Sequence, residues 1–247
     1  MRIFYTLNFV VYFFVFIFAS KLRNQALLTT KHIKIMAQFK VHNLIIVDAS
    51  GSMTSIYEQA LAGINETLST IREEAKKSDK IEQSVTVLSF ASGGEPLQYA
   101  YRNTIAEQTS PLTPNDYTLR GMTALYDAIG TSVTDLEKSK GKEDKVLVTI
   151  ITDGYENDSI EWDGASVKEL IDRLCKKGWV FTYIGANQDA ALEAGKIGVK
   201  NSLTFEATIE GTVNMFAFEK QSRQRWNKRV RLNENDFQNA YFSDDDK

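Results

Sequence analysis

Hydrophobic positions along this chain keep two alternating rhythms. Leu44–Val47, closed by Asp48, and Lys145–Thr152 (KVLVTIIT) are short runs of β-branched and aliphatic residues without polar alternation. Such runs predict strands buried on both faces, the habit of a parallel sheet. Gln83–Phe90 (QSVTVLSF) reads as another strand, with Val85 and Val87 on one face and Thr86, Leu88 and Phe90 on the other. Between the strands, apolar residues return every three or four positions. Ile56, Leu61, Ile64, Leu68 and Ile71 do so within Ser55–Lys77, and Leu125, Ile129, Val133 and Leu136 within Thr123–Leu136. Val167, Leu170, Ile171 and Leu174 repeat the pattern within Ser166–Lys177, closed by Gly178. Each stripe predicts an amphipathic helix.

The remaining segments complete an alternation. Trp179–Ile184 and Ser202–Phe205 read as strands, Asp189–Ile197 as a short helix and Thr208–Arg229 as a closing helix. Leu97–Arg102 alternates like a half-exposed edge strand, and the short Gly- and Pro-bearing turn before it requires an antiparallel pairing. Thr109–Gly121 carries two prolines and no period, so it is a loop, expected beside the first strand end. Strand–helix alternation of this kind predicts an α/β fold: doubly wound, a mostly parallel central sheet, one antiparallel edge strand and helices on both faces.

Composition changes this picture only at the ends. Residues 1–40 contain no acidic side chain, and Phe4–Ala19 is uncharged and rich in Phe, Val and Tyr. The stretch is short for a membrane-spanning helix, and it lacks a clear small-x-small cleavage site for a signal sequence. Lys21, Arg23, Lys31, Lys34 and Lys40 follow it, so as an anchor it would leave the main domain in the cytoplasm. A third reading starts translation at Met36, and the three stay open. Residues 41–231 form the expected domain; 232–247 form an acidic tail expected to be disordered. The single cysteine, Cys175, allows no internal disulfide and fits a reducing, cytoplasmic setting.

Candidate chemistry sits where strands end. Asp48, Ser50 and Ser52 make a D-x-S-x-S pattern after Leu44–Val47, with Gly51 expected to let the chain turn. One carboxylate and two hydroxyls are hard oxygen ligands suited to Mg²⁺. The same residues also read as a Ser-rich turn capping the next helix. Thr123 would cap its helix or bind metal, and Asp153 before Gly154 would serve a turn or a second ligand. Three segments, NLIIVDASGSM (Asn43–Met53), GMTALYDAI (Gly121–Ile129) and VTIITDGYEN (Val148–Asn157), occur in that order.

Together they resemble the von Willebrand factor A domain of the stand-alone, bacterial or intracellular type, over roughly residues 41–206. The resemblance implies a Rossmann-like fold and a metal-ion-dependent adhesion site formed by Asp48, Ser50, Ser52, Thr123 and Asp153. It implies Mg²⁺, with Mn²⁺ as the substitute: the hydroxyls touch the ion and the carboxylates act mainly through water. It further implies a protein partner that offers a Glu or Asp, within a multi-protein complex, and a binding module rather than an enzyme.

Other functions meet obstacles in the residues. A Mg²⁺-dependent phosphohydrolase of the haloacid-dehalogenase kind would want an Asp where Ser50 stands, and no phosphate-binding G-x-x-x-x-G-K-[ST] occurs. His32 and His42 lie away from the strand-end motif, so a Ser/His or Cys/His pair is hard to assemble. No zinc spacing occurs. Lys220, Arg223, Arg225, Lys228, Arg229 and Arg231 surround Trp226, which suggests a nucleic-acid or acidic-partner patch; the competing reading is a solvated helix end whose cations suit the helix dipole. Glu156, Asp158, Glu161 and Asp163 follow Asp153 as an acidic rim, with Arg120 as a candidate counter-charge.

Overall fold

The computed structural model describes residues 39–93, 96–187, 189–234 and 241–242. Phe4–Ala19 and the rest of the extension before Phe39 lie outside these residues, as do Asp236 and Asp244–Asp246. Among the described residues no helix is long and apolar enough to cross a membrane.

Strand β1 (Phe39–Asp48) leads through a 3-10 turn (Gly51–Ile56) into α1 (Tyr57–Ala75). Strands β2 (Ile81–Phe90) and β3 (Leu97–Ile105) follow, then α2 (Leu125–Ser139) and β4 (Lys145–Thr152). The chain continues through α3 (Gly164–Cys175), β5 (Val180–Ala186), α4 (Ala190–Lys196), β6 (Asn201–Phe205) and α5 (Ile209–Arg231). The six strands form one sheet in the order β3-β2-β1-β4-β5-β6, parallel except for β3, which runs antiparallel on β2. This is the mostly parallel, doubly wound sheet that the hydrophobic pattern predicts.

Burial explains the unbroken apolar runs. Leu44, Ile46, Val148 and Ile150 face α2 and α3, where they meet Ile129, Val133, Val167 and Ile171. Ile45, Val47 and Ile151 face the other way, onto Ile64 and Leu68 of α1 and Met215 and Phe216 of α5. A central strand covered on both sides has no position for a polar alternation. The edge strand β3, by contrast, is nowhere fully buried.

Strand order places the site. The chain winds outward from β1 to β3, then returns to β4 on the other side of β1. The crevice between β1 and β4 is therefore the topological switch point, where open α/β sheets bind ligands. Val47 pairs with Ile151, so Asp48 and Thr152 emerge side by side at the carboxyl ends.

Local details differ from the expectations. Gly51 has no positive φ, and a β-carbon there would meet nothing within 4 Å, so its turn does not require glycine. The 3-10 turn takes up the direction change instead, with Met53 and Ile56 pointing into the core. Thr123 stands two residues ahead of α2 and makes no cap bond to it. Tyr241, within the stretch expected to be disordered, is 2% exposed and packs against Val41, Leu147 and Val230.

Candidate metal centre

Asp48 ends β1 wholly buried. Its Oδ1 accepts the Ser50 amide at 2.7 Å, and its Oδ2 accepts the Thr152 hydroxyl at 2.6 Å. Thr152 Oγ1 in turn accepts the Gly154 amide at 3.1 Å. Ser50 Oγ lies 3.0 Å from Ser52 Oγ, and Ser52 donates to Asp153 Oδ1 at 2.6 Å.

Thr123 comes from a separate loop. Its amide donates to Asn157 Oδ1 at 2.9 Å, and the Asn157 amide donates back to the Thr123 carbonyl at 3.1 Å. The decisive geometry surrounds Gly154. A β-carbon on that residue would lie 2.7 Å from Thr123 Oγ1, 3.5 Å from Asp48 Oδ2 and 3.6 Å from Ser52 Oγ. Oxygens from the end of β1 and from the loop before α2 thus converge beside Gly154 of a third loop, where a side chain would crowd Thr123 Oγ1. Ser50 and Asp153 join the cluster through their contacts with Ser52. All five residues singled out in the sequence meet in one place.

The electrostatics of the cluster are unbalanced. Burial pushes the Asp48 carboxyl above the usual aspartate range, and the Thr152 hydroxyl and Ser50 amide offset this only in part. Burial also raises Asp153; the Ser52 hydroxyl works against that rise, and the nearby Asp48 charge adds to it. Among the described residues no Lys or Arg forms an ion pair with either carboxylate. Arg120 turns its guanidinium to the carbonyls of Thr118 (3.0 Å) and Ser89 (3.1 Å). Two carboxylates and three hydroxyls are an all-oxygen donor set, which suits Mg²⁺ or Mn²⁺. Among the described residues no group of three or more His, Cys, Asp or Glu side chains gathers elsewhere to hold a metal ion.

Several supporting residues carry no signal in the sequence. Tyr117 donates its hydroxyl to the Asp48 carbonyl at 2.6 Å and stacks on Tyr57 at 5.3 Å between ring centroids. Burial, then the charges of Asp48 and Asp153, push this phenol far above its ordinary pKa. The Arg120 amide donates to the Ala49 carbonyl at 2.7 Å, so the loop before α2 is sewn to the end of β1. Thr152, in sequence simply a strand residue, proves to be the hydroxyl that orients Asp48.

Two of the four rim acids, Glu156 and Asp163, are internal fastenings. Glu156 accepts from the Tyr126 amide (2.9 Å), the Asp158 and Ser159 amides (2.9 and 2.7 Å) and the Ser159 hydroxyl (2.7 Å). Its carboxylate thereby ties the loop after β4 to the start of α2 and stands outside the oxygen cluster. Asp127 holds the same loop from the helix side, through the amides of Ile160, Glu161 and Trp162 at 2.7 to 2.9 Å. Asp163 caps α3.

Two other sequence expectations are corrected. Trp226 is 2% exposed and Arg223 wholly buried, so the residues at the heart of the basic constellation belong to the core and cannot read nucleic acid. Lys220 pairs with Glu66, and Arg231 with Glu74. A Ser/His pair, expected to be hard to assemble, does form. Ser84 Oγ lies 3.3 Å from His42 Nδ1, and His42 Nε2 lies 2.9 Å from Asp144 Oδ2. Its serine is 2% exposed and donates its hydroxyl to Asn103 Oδ1 at 2.7 Å. The trio joins β1, β2, β3 and the turn before β4, and it offers a substrate no exposed nucleophile.

Comparison with known proteins bears on the family and the fold. A model of the von Willebrand factor type A domain matches residues 44–221. Comparison with curated proteins returns no match. Similar solved structures include the PilB minor pilin from Streptococcus sanguinis, with 14% identity, a TM-score of 0.54, and coverage of 76% of this chain and 62% of that one. Proximal thread matrix protein 1 from the mussel byssus is similar at 13% identity, a TM-score of 0.50, and coverage of 74% of this chain and 45% of that one. The chain therefore spans less than two thirds of either protein, and at these identities the likeness is one of fold. The chain belongs to the von Willebrand factor type A domain family.

Proposed function

We propose that this von Willebrand factor type A domain is a metal-dependent protein-interaction module. Asp48, Ser50, Ser52, Thr123 and Asp153 would hold one divalent cation, Mg²⁺ or Mn²⁺, and a Glu or Asp of a partner protein would complete its shell. The observation that carries the reading is a buried Asp48 that accepts the Thr152 hydroxyl and a half-buried Asp153 that accepts the Ser52 hydroxyl, with no cationic side chain paired to either among the described residues. Ionised carboxylates in so dry a place are costly without a counter-charge.

Bound there, the cation would supply positive charge and Lewis acidity toward an incoming carboxylate. The chain's own residues do the rest. Thr152 and the Ser50 amide aim the two oxygens of Asp48, and Tyr117 holds the strand end still. Asn157 fixes the Thr123 loop, and Glu156 secures the loop that carries Asp153. Neutral hydroxyls cancel little of the ion's charge, so an external acid retains a strong attraction.

Titration calorimetry of the full chain with MgCl₂ and MnCl₂ tests the reading. Uptake of one ion per chain is expected for the wild type, with loss of uptake in Ser50→Ala/Ser52→Ala. No uptake by the folded wild type, or equal uptake by the variant, would reject it. Capture of a partner protein should likewise require the metal and fail with EDTA.

A further inference from the structure

The 3-10 turn that presents Ser52 also walls a second feature. A groove of about 590 Å³ begins at Thr54, two residues after Ser52, and is lined by Thr54, Tyr57, Glu58, Pro114, Leu119 and Ile209 among others. It shares structure with the metal centre. Tyr57 lines the groove and stacks on Tyr117, whose hydroxyl reaches the Asp48 carbonyl. Ile209, at the first position of α5, is 64% exposed, an apolar side chain left without cover at the groove's edge.

We propose that this groove is a specificity pocket for the partner segment whose carboxylate reaches the metal, and that it takes one large apolar side chain two residues from that acid. The inference rests on the metal-dependent reading above. Spacing argues for it. Ser52 and Ser55 are one 3-10 turn apart, about 6 Å at ~2 Å rise per residue. In an extended peptide, side chains two positions apart lie on one face at about 6.6 Å. A strand-like segment that places an acid on the cluster therefore presents its next same-face side chain over Tyr57, Leu119 and Ile209. Charge narrows the choice further. Glu58 is the one charged residue among those lining the groove, so a second acid there would be repelled while an apolar side chain is not. The matching partner is thus an extended acid-x-apolar segment rather than a polyacidic one.

Selection from a random peptide library displayed on phage, bound to the immobilised full chain in Mg²⁺ and eluted with EDTA, tests this. The expected sequences carry Glu or Asp with Leu, Ile, Phe or Met two positions away. Against Ile209→Ser, a surface change that spares the core, the same synthetic peptides should bind about tenfold more weakly yet remain metal-dependent. EDTA-eluted sequences that share an acid without that apolar position, or unchanged affinity for Ile209→Ser, overturn the pocket and leave the metal reading standing. Peptides that bind the groove without Mg²⁺ overturn the coupling of pocket to metal. A selection that returns no metal-dependent sequence overturns both.

Discussion

Two carboxylates in this chain are equally hidden from water and oppositely treated. Glu219 on α5 is 1% exposed and accepts from Arg223 Nε at 2.8 Å and the Tyr241 hydroxyl at 2.9 Å. Arg223 gives its other donors to Asn43 Oδ1 (2.7 Å) and Thr149 Oγ1 (2.9 Å). That charge is answered inside the protein. Asp48, at 0% exposure, has an amide and a hydroxyl and no cation. A chain that gives one buried carboxylate a cation beside its sheet has left another without one at the sheet's carboxyl end. On the function proposed, the contrast separates a structural charge from one that a bound cation would answer.

Removing the answered pair's cation should produce the largest effect. Arg223→Ala leaves Glu219 buried and unpaired, at an expected loss of about 3–5 kcal/mol in urea unfolding. Replacing both partners with Arg223→Met/Glu219→Leu should restore most of it. A loss below ~1 kcal/mol in the single variant would mean that the two carboxylates are not treated differently after all.

At the unanswered carboxylate the sign reverses. Asp48→Asn keeps the shape and removes the charge, so metal-free stability should hold or rise. For the wild type, Mg²⁺ at a hundredfold excess over its Kd should add about 2.7 kcal/mol, and the variant should gain nothing. Thermal melts with Mg²⁺ and with EDTA read both quantities, and a metal-free variant that is clearly less stable would count against the contrast.

A smaller perturbation tests geometry alone. Gly154→Ala pushes a methyl group to within 2.7 Å of Thr123 Oγ1 and leaves every proposed ligand in the sequence. Metal affinity should fall about tenfold, a change of ~1.4 kcal/mol, with the fold retained by circular dichroism.

The mildest test concerns a third buried titratable group, His42. Burial lowers its pKa from 6.5, although its bond to Asp144 pulls upward. Burial also opposes the ionised form of Asp144, but the Lys40 amide, His42 and the Gly141 amide outweigh it and hold that carboxyl below the usual range. As pH falls, the unfolded chain therefore binds the imidazole proton before the folded chain does. The contribution is fully present above 6.5 and is lost as pH drops below it. Urea midpoints across that range should decline for the wild type and run flatter for His42→Gln.

Much of this molecule was legible before folding. KVLVTIIT was read as a buried strand over Lys145–Thr152, and β4 has those bounds. The antiparallel edge was legible because a short Gly- and Pro-bearing turn permits nothing else. Asp48, Ser50 and Ser52 could be singled out because they lie within five residues of one another at a strand end, and Thr123 and Asp153 because two further segments repeat a known order. Tyr117, Thr152 and Asn157 were not legible. Each works through hydrogen bonds to a residue distant in sequence, and no local pattern announces such bonds. The misleading constellation around Trp226 shows the converse. Cations clustered in sequence looked like one surface, but on a helix they point several ways, and Arg223 and Trp226 point inward.

The amino-acid sequence by itself determined the period of the main strands and helices and which oxygen-bearing side chains stand at the strand ends, because both depend on neighbours a few residues apart. Only the tertiary structure decided which of these charges are buried and that Asp48 is buried without a cation. Arg223 and Glu219 stand four residues apart on α5, but their burial and the orientation of Asp48 rest on pairs such as Arg223 with Asn43 and Asp48 with Thr152, separated by 180 and 104 residues. Their desolvation is set by what the fold packs around them, so the same carboxylate chemistry becomes a core fastening on α5 and a charge without a cation at the end of β1.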